Sequence, residues 1–240
     1  MTTPKVHVSP DLAALAGAVA DWLLQSALET VGPFSLCLSG GSTPKALYRL
    51  LAGPPYRDRF PWYRTHLFWG DERFVPPDDE LSNYRMVREA LLDNVPIPPG
   101  NIHAVPTQGS NPQAAAAAYQ RDLRGFYGAD RLESERPLFD ATLLGLGPDG
   151  HTASLFPDTE VLDDRRHWVA AVIGAKAEAR ITLTYPALES SRHAAFLVAG
   201  ADKAAILRRL MEGDQSLPAA RLQPTGSLWV FRDVAVGGDA

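Results

Sequence analysis

The sequence predicts an α/β fold: a doubly wound, mostly parallel sheet with helices on both faces. Three observations carry that prediction. Short apolar or β-branched runs recur at residues 35–40, 65–71, 141–147, 168–173, 180–184, 194–200 and 227–232. Several of them are apolar on both faces, as strands covered on each side should be. Helical patterns fill many of the intervals, and strand–helix alternation is what builds a parallel sheet.

Taken in order, the first helical stretch is residues 11–30, where Leu12, Leu15, Val19, Trp22 and Leu23 recur at three- and four-residue spacing. Residues 42–51, 82–93, 112–127 and 202–212 read the same way. The alanine run at 114–118 is a strong helix former with a structural role. Proline-rich segments at 53–61, 76–79 and 96–106 are expected to be loops and not domain linkers, because the strand pattern continues after each. The charged segment 128–137 is expected to be a surface loop, and the tail 237–240 to fray. No internal repeat is evident, and residues 1–240 are expected to form one domain.

Composition narrows the function. The chain has 240 residues, 45% hydrophobic and 21% charged, enough to bury a large core. Its formal charge of −5 offers no basic field to nucleic acid, so an anionic ligand would need positive charge gathered locally. Cys37 is the only cysteine, which excludes an intramolecular disulfide and a cysteine metal cage. Within an apolar run it reads as a small core residue. Residues 1–8 lack the apolar stretch of a secretory signal, and no run approaches the roughly 18 apolar residues of a membrane span. The expected address is the cytoplasm, with no membrane, nucleic-acid or obligatory protein partner.

Ligands of such sheets collect beyond the carboxyl ends of the strands. Four strand ends carry unusual residues. The first reads Ser39-Gly40-Gly41-Ser42-Thr43-Pro44. Its glycines admit close backbone approach, Ser42 or Thr43 can cap the next helix, and Pro44 suits a first turn. It is either a well-capped tight turn or an anion cradle of amides and hydroxyls. It is neither a Walker loop nor a serine-hydrolase elbow. The second reads Gly70-Asp71-Glu72-Arg73. This is either a solvated turn or a place where Arg73 meets an anion or a developing oxyanion and Asp71 orders polar neighbours. Farther on, Ser82 reads as a helix cap.

The third segment runs from Gly145 through Gly147, Asp149, Gly150 and His151 to Pro157. Its formal Gly-x-Gly-x-x-Gly does not fit a dinucleotide, because Asp149 would set negative charge beside a pyrophosphate and Pro157 leaves little room for a long helix. What remains is a turn presenting Asp149 and His151 two residues apart. Histidine exchanges protons near neutral pH, and a carboxylate fixes its tautomer. The fourth is a cationic pair, Arg180 and Lys203. A lysine at a helix start opposes the helix dipole unless an anion compensates it. His7, His66, His103, His167 and His193 are scattered without ligand spacing, so no metal is expected.

In the same order along nearly the whole chain, these segments resemble the 6-phosphogluconolactonase family. The resemblance rests on Gly40 to Pro44, Gly70 to Arg73, Ser82 to Met86, Gly145 to Pro157 and Arg180 to Thr184. It implies a Rossmann-like αβα fold shared with glucosamine-6-phosphate deaminases and ribose-5-phosphate isomerases. It also implies a metal-free, cofactor-free hydrolase opening 6-phospho-D-glucono-1,5-lactone in the pentose phosphate pathway. Prolines expected before Arg180 are replaced by Ala175-Lys176-Ala177-Glu178-Ala179, and Glu80-Leu81 precedes Ser82 where a more polar turn is usual. A deaminase or isomerase is the alternative, but its glutamate after the histidine is absent from Thr152 to Pro157. A non-catalytic sugar-phosphate sensor is a further alternative.

On this reading Gly40, Gly41, Ser42 and Thr43 cradle a phosphate that Arg180 and Lys203 neutralise. His151 takes a proton from the water attacking the lactone carbonyl. Asp149, or Asp71 if it reaches the site, orients the imidazole. Arg73 holds either the oxyanion or the phosphate.

Overall fold

The computed structural model describes residues 3–109 and 111–237. Its strands are β1 (Lys5–Ser9), β2 (Phe34–Leu38), β3 (Thr65–Trp69), β4 (Asp71–Arg73), β5 (Ile102–His103), β6 (Phe139–Leu144), β7 (Val169–Val172), β8 (Arg180–Leu183), β9 (Ser191–Val198) and β10 (Ser227–Asp233). Its helices are α1 (Leu12–Glu29), α2 (Ser42–Leu51), α3 (Tyr56–Arg59), α4 (Asn83–Ala90), α5 (Pro112–Tyr127), α6 (Tyr185–Glu189), α7 (Ala204–Met211) and α8 (Val234–Gly237). Of the tail expected to fray, Gly237 ends α8, and residues 238–240 lie outside the described residues.

Seven strands form a parallel sheet in the order β1-β10-β9-β6-β2-β3-β5. Every residue of central β2 is buried, because both its faces meet helices. α1 covers the sheet with a stripe of Leu15, Val19, Leu23 and Ala27, and starts where the Asp11 carboxylate accepts the Ala14 N–H at 2.8 Å. The alanine run lies inside α5, which Asn111 caps through Ala114 N at 2.7 Å and Gly128 ends in the left-handed region.

The chain travels outward from β2 through β3 to β5, then returns beside β2 as β6 and continues through β9 to β10. The order therefore reverses between β2 and β6. Loops leaving those two strands diverge and open a crevice at their carboxyl ends, the place such sheets use for ligands.

Two strand expectations need correcting. Segments 168–173 and 180–184 do not enter the parallel sheet. As β7 and β8 they join β4 in a separate antiparallel sheet of order β4-β8-β7. Gly70 links the sheets: its N–H donates to Leu38 O at 2.9 Å, and its carbonyl accepts from Leu183 N at 2.8 Å. The charged run after β3 is thus itself a strand. Short elements also occur inside two of the expected loops, α3 within 53–61 and β5 within 96–106. The helix expected over 82–93 ends at Ala90, and the one expected from 202 begins as a 3₁₀ turn at Ala201–Lys203.

Candidate active site

A cleft of about 300 Å³ opens where β2 and β6 diverge. Gly40, Gly41, Ser42 and Thr43 line one side. The helix cap is Gly41, at φ 102°, and no side chain caps α2. The structure corrects the expectation that Ser42 or Thr43 would cap it: both lie inside its first turn, with the unpaired end of the helix beside the cleft. A glycine is required at Gly40 for a different reason. A Cβ there would sit 2.2 Å from Asn83 Oδ1.

Asp71 and Arg73 line the next wall from β4. Asp71 does not reach the histidine; its Oδ2 accepts from Ser154 Oγ at 2.6 Å. Arg73 gives one NH1 bond to Leu81 O at 2.5 Å. Between them Glu72 points the other way and is buried. Its carboxylate accepts from Asn83 N at 2.8 Å, Tyr84 N at 2.7 Å and Arg73 N at 2.7 Å, with Ser82 Oγ at 3.2 Å. Burial pushes the Glu72 carboxyl above its ordinary value, and the backbone N–H bonds only partly oppose that. Glu72 thus anchors the start of α4, where negative charge suits the helix dipole. Asn83 is held at the cleft with its Nδ2 donating to Asp71 O at 3.0 Å. Ser82 caps α4 as expected, accepting from Arg85 N at 3.1 Å.

The turn after β6 supplies Gly147, His151 and Thr152. His151 Nδ1 is hydrogen-bonded to Asp149 Oδ1, which also accepts from His151 N at 3.2 Å. Asp149 does not line the cleft, so it touches the ligand space only through the imidazole. Burial pushes its carboxyl up, but the bond to and charge of His151 outweigh that and hold it below the ordinary aspartate value. Nε2 is left as the ring nitrogen without a partner among the described residues. Gly147 makes room for the ring: a Cβ there would lie 2.0 Å from Nδ1.

Lys203 lines the opposite wall, with its nearest carboxylate, Asp202, 4.0 Å away. Arg180 is not among the lining residues. It faces Arg73 across the β4–β8 ladder, with NH2 3.6 Å from Glu178 and NH1 buried without a partner. Burial and the neighbouring Arg73 charge both pull its value down. The sequence reading thus brought most of its candidates to one cleft. It missed Glu72 and Asn83, whose only signal was an acid after a strand and a polar residue at a helix start. The remaining histidines are less scattered than expected. His66 and His103 meet at 3.1 Å, and Asp122 lies 3.0 Å from His103, although no group among the described residues could hold a metal.

Residues 10–230 match the family described as glucosamine-6-phosphate isomerases/6-phosphogluconolactonase. The chain belongs to this family. Among relatives of the glucosamine-6-phosphate isomerase/6-phosphogluconolactonase family, a protein of Nostoc sp. named 6-phosphogluconolactonase is 42% identical over 98% of this chain and 97% of its own. A Synechocystis sp. protein of the same name is also 42% identical, over 89% and 88%. The crystal structure of 6-phosphogluconolactonase from Thermotoga maritima superposes with a TM-score of 0.82 at 30% identity, covering 97% of this chain and 100% of that one.

Proposed function

We infer that the chain is a lactonase that hydrolyses 6-phospho-D-glucono-1,5-lactone to 6-phospho-D-gluconate, as one catalytic domain in the cytoplasm. The observation that carries the chemistry is His151, whose Nδ1 is tied to Asp149 while its free edge borders the cleft. The carboxylate fixes the tautomer in which Nε2 is the base. His151 takes a proton from water as the oxygen attacks C1. Arg73 then stabilises the tetrahedral oxyanion. Collapse breaks the bond from C1 to the ring oxygen, and His151 returns the proton to that leaving oxygen. One water is consumed, and no electron changes hands.

The phosphate is placed by the amides and hydroxyls of residues 40–43 at the start of α2, with Lys203 as its direct cation. Arg180 strengthens the positive field from outside the cleft. The turn after His151 favours lactone opening over isomerisation, since Thr152, Ala153, Ser154, Leu155, Phe156 and Pro157 include no acid. A coupled assay offering both 6-phosphogluconolactone and glucosamine 6-phosphate tests the reading. Turnover of the lactone alone is expected, and His151→Ala should lower kcat by about 10²–10⁴-fold. Near-wild-type turnover in folded His151→Ala and His151→Asn would remove this residue from the mechanism.

A further inference from the structure

The two oxygens of Asp149 have different partners. Oδ1 serves the imidazole and backbone of His151, whereas Oδ2 lies 3.8 Å from Lys176 Nζ. The same ammonium stands 4.9 Å from the centroid of the Phe156 ring. Phe156 is buried and packs 4.7 Å from the imidazole of His151. One cation therefore touches both supports of the proposed base. We propose that Lys176 is a positioning residue, steadying the Asp149 carboxylate and the Phe156 ring on which His151 rests and moderating the pull of Asp149 on its proton.

The proposal rests on His151 acting as the base. Lys176 lies in the segment between β7 and β8, where the sequence departs from the prolines expected of the family. Asp149, Phe156 and Lys176 border a second cavity of about 710 Å³ that shares no lining residue with the cleft. Asp158 and Glu160 share that cavity. Asp71, Arg73 and Lys203 are the charged groups that line the cleft with His151. Among these charged groups, Lys176 is the one that contacts the Asp149 oxygen not used by His151. Asp149 alone would strengthen the imidazole's hold on a proton, and the lysine charge opposes it. The pair is part-exposed, with side chains 43% and 37% accessible, so solvent screens its effect.

The test is an NMR titration of the His151 ring in the wild type, Lys176→Met and Lys176→Arg, with pH profiles of kcat/KM beside it. Losing the ammonium should raise the His151 midpoint by about half a pH unit. The acid limb of kcat/KM should move with it, and Lys176→Arg should restore both. In an Asp149→Asn background the same loss should move the midpoint by less than half as much. An unchanged midpoint in Lys176→Met overturns the proposal. So does a full-sized shift in the Asp149→Asn background, because the lysine would then act by bare charge on the ring. The NMR midpoint reads Lys176 without turnover, whereas turnover of His151→Ala reads the base assignment. The two failures are therefore distinct.

Discussion

Gly147→Ala should damage catalysis while leaving the fold intact. The added Cβ would sit 2.0 Å from His151 Nδ1 and 2.1 Å from Cε1, where ordinary contact begins at about 3.4 Å. The ring must therefore retreat by about 1.4 Å, away from the position in which Asp149 holds it. A misplacement of about 1 Å can cost 10²-fold, and complete loss of a general base costs about 10²–10⁴-fold. We expect kcat to fall by about 10²-fold and KM to change little. Folding should survive, because the clash is with a side-chain ring and Gly147 is not among the glycines with positive φ. Initial rates of 6-phosphogluconolactone opening, corrected for spontaneous hydrolysis, measure the effect. A folded Gly147→Ala enzyme within threefold of wild-type kcat would refute the placement of His151 as the base.

Other perturbations separate anchoring from chemistry. Glu72→Gln sets an amide NH₂ among N–H donors and should cost about 1–3 kcal/mol, read as a lower urea midpoint, with kcat/KM falling as Asn83 shifts. Because burial raises Glu72, its contribution to stability is full below the ordinary value of 4.5 and is lost as pH rises through the folded value. Glu72→Gln should lack that slope. Asp149 behaves oppositely: held below 3.8 in the fold, it stabilises above that value and loses its effect as pH falls through the folded one. Asp149→Asn should therefore flatten acid denaturation, and its kcat should fall without loss of substrate affinity. Lys203→Ala should lower kcat/KM by about 10- to 150-fold on the phosphorylated lactone and little on unphosphorylated gluconolactone. Arg180→Gln should give a smaller, salt-sensitive version of that bias. An equal bias in both variants would make Arg180 a direct phosphate ligand.

The parallel sheet was legible because burial on both faces leaves continuous apolar runs, as in Phe34 to Leu38. A first strand within the first ten residues is expected, and β1 lies there, but its bounds were harder to read, since as an edge strand its Lys5, Val6, His7 and Val8 are all exposed. The antiparallel sheet was read as more of the same because β7 and β8 are short and apolar, and only their partner reveals their direction. For the cleft, glycines and titratable residues after strands were enough to find Ser42, Arg73, His151 and Lys203. Which aspartate serves the histidine was not readable. Asp71 and Asp149 both follow strands, and the choice is made by Ser154, which takes Asp71 from a position 83 residues away. Glu72 was hidden for a related reason. Alternation along β4 turns it away from its two neighbours, and its partners lie beyond an intervening loop.

An acidic protein can still present a positive cleft, and these contacts show how. The nearby carboxylates are engaged by donors: Asp71 by Ser154, Asp149 by His151 with Lys176 close by, and Glu72 by three backbone N–H groups. These bonds fix where each carboxylate points, and of the three only Asp71 lines the cleft. The cations are differently placed. Arg73 and Lys203 line the space with donors to spare, and Arg180 stands opposite Arg73 with one buried nitrogen unpaired. Two arginines facing each other across a ladder repel one another. An oxyanion forming beside Arg73 would lessen that repulsion. Raising ionic strength should therefore weaken the repulsion between the arginines and their pull on an anion together.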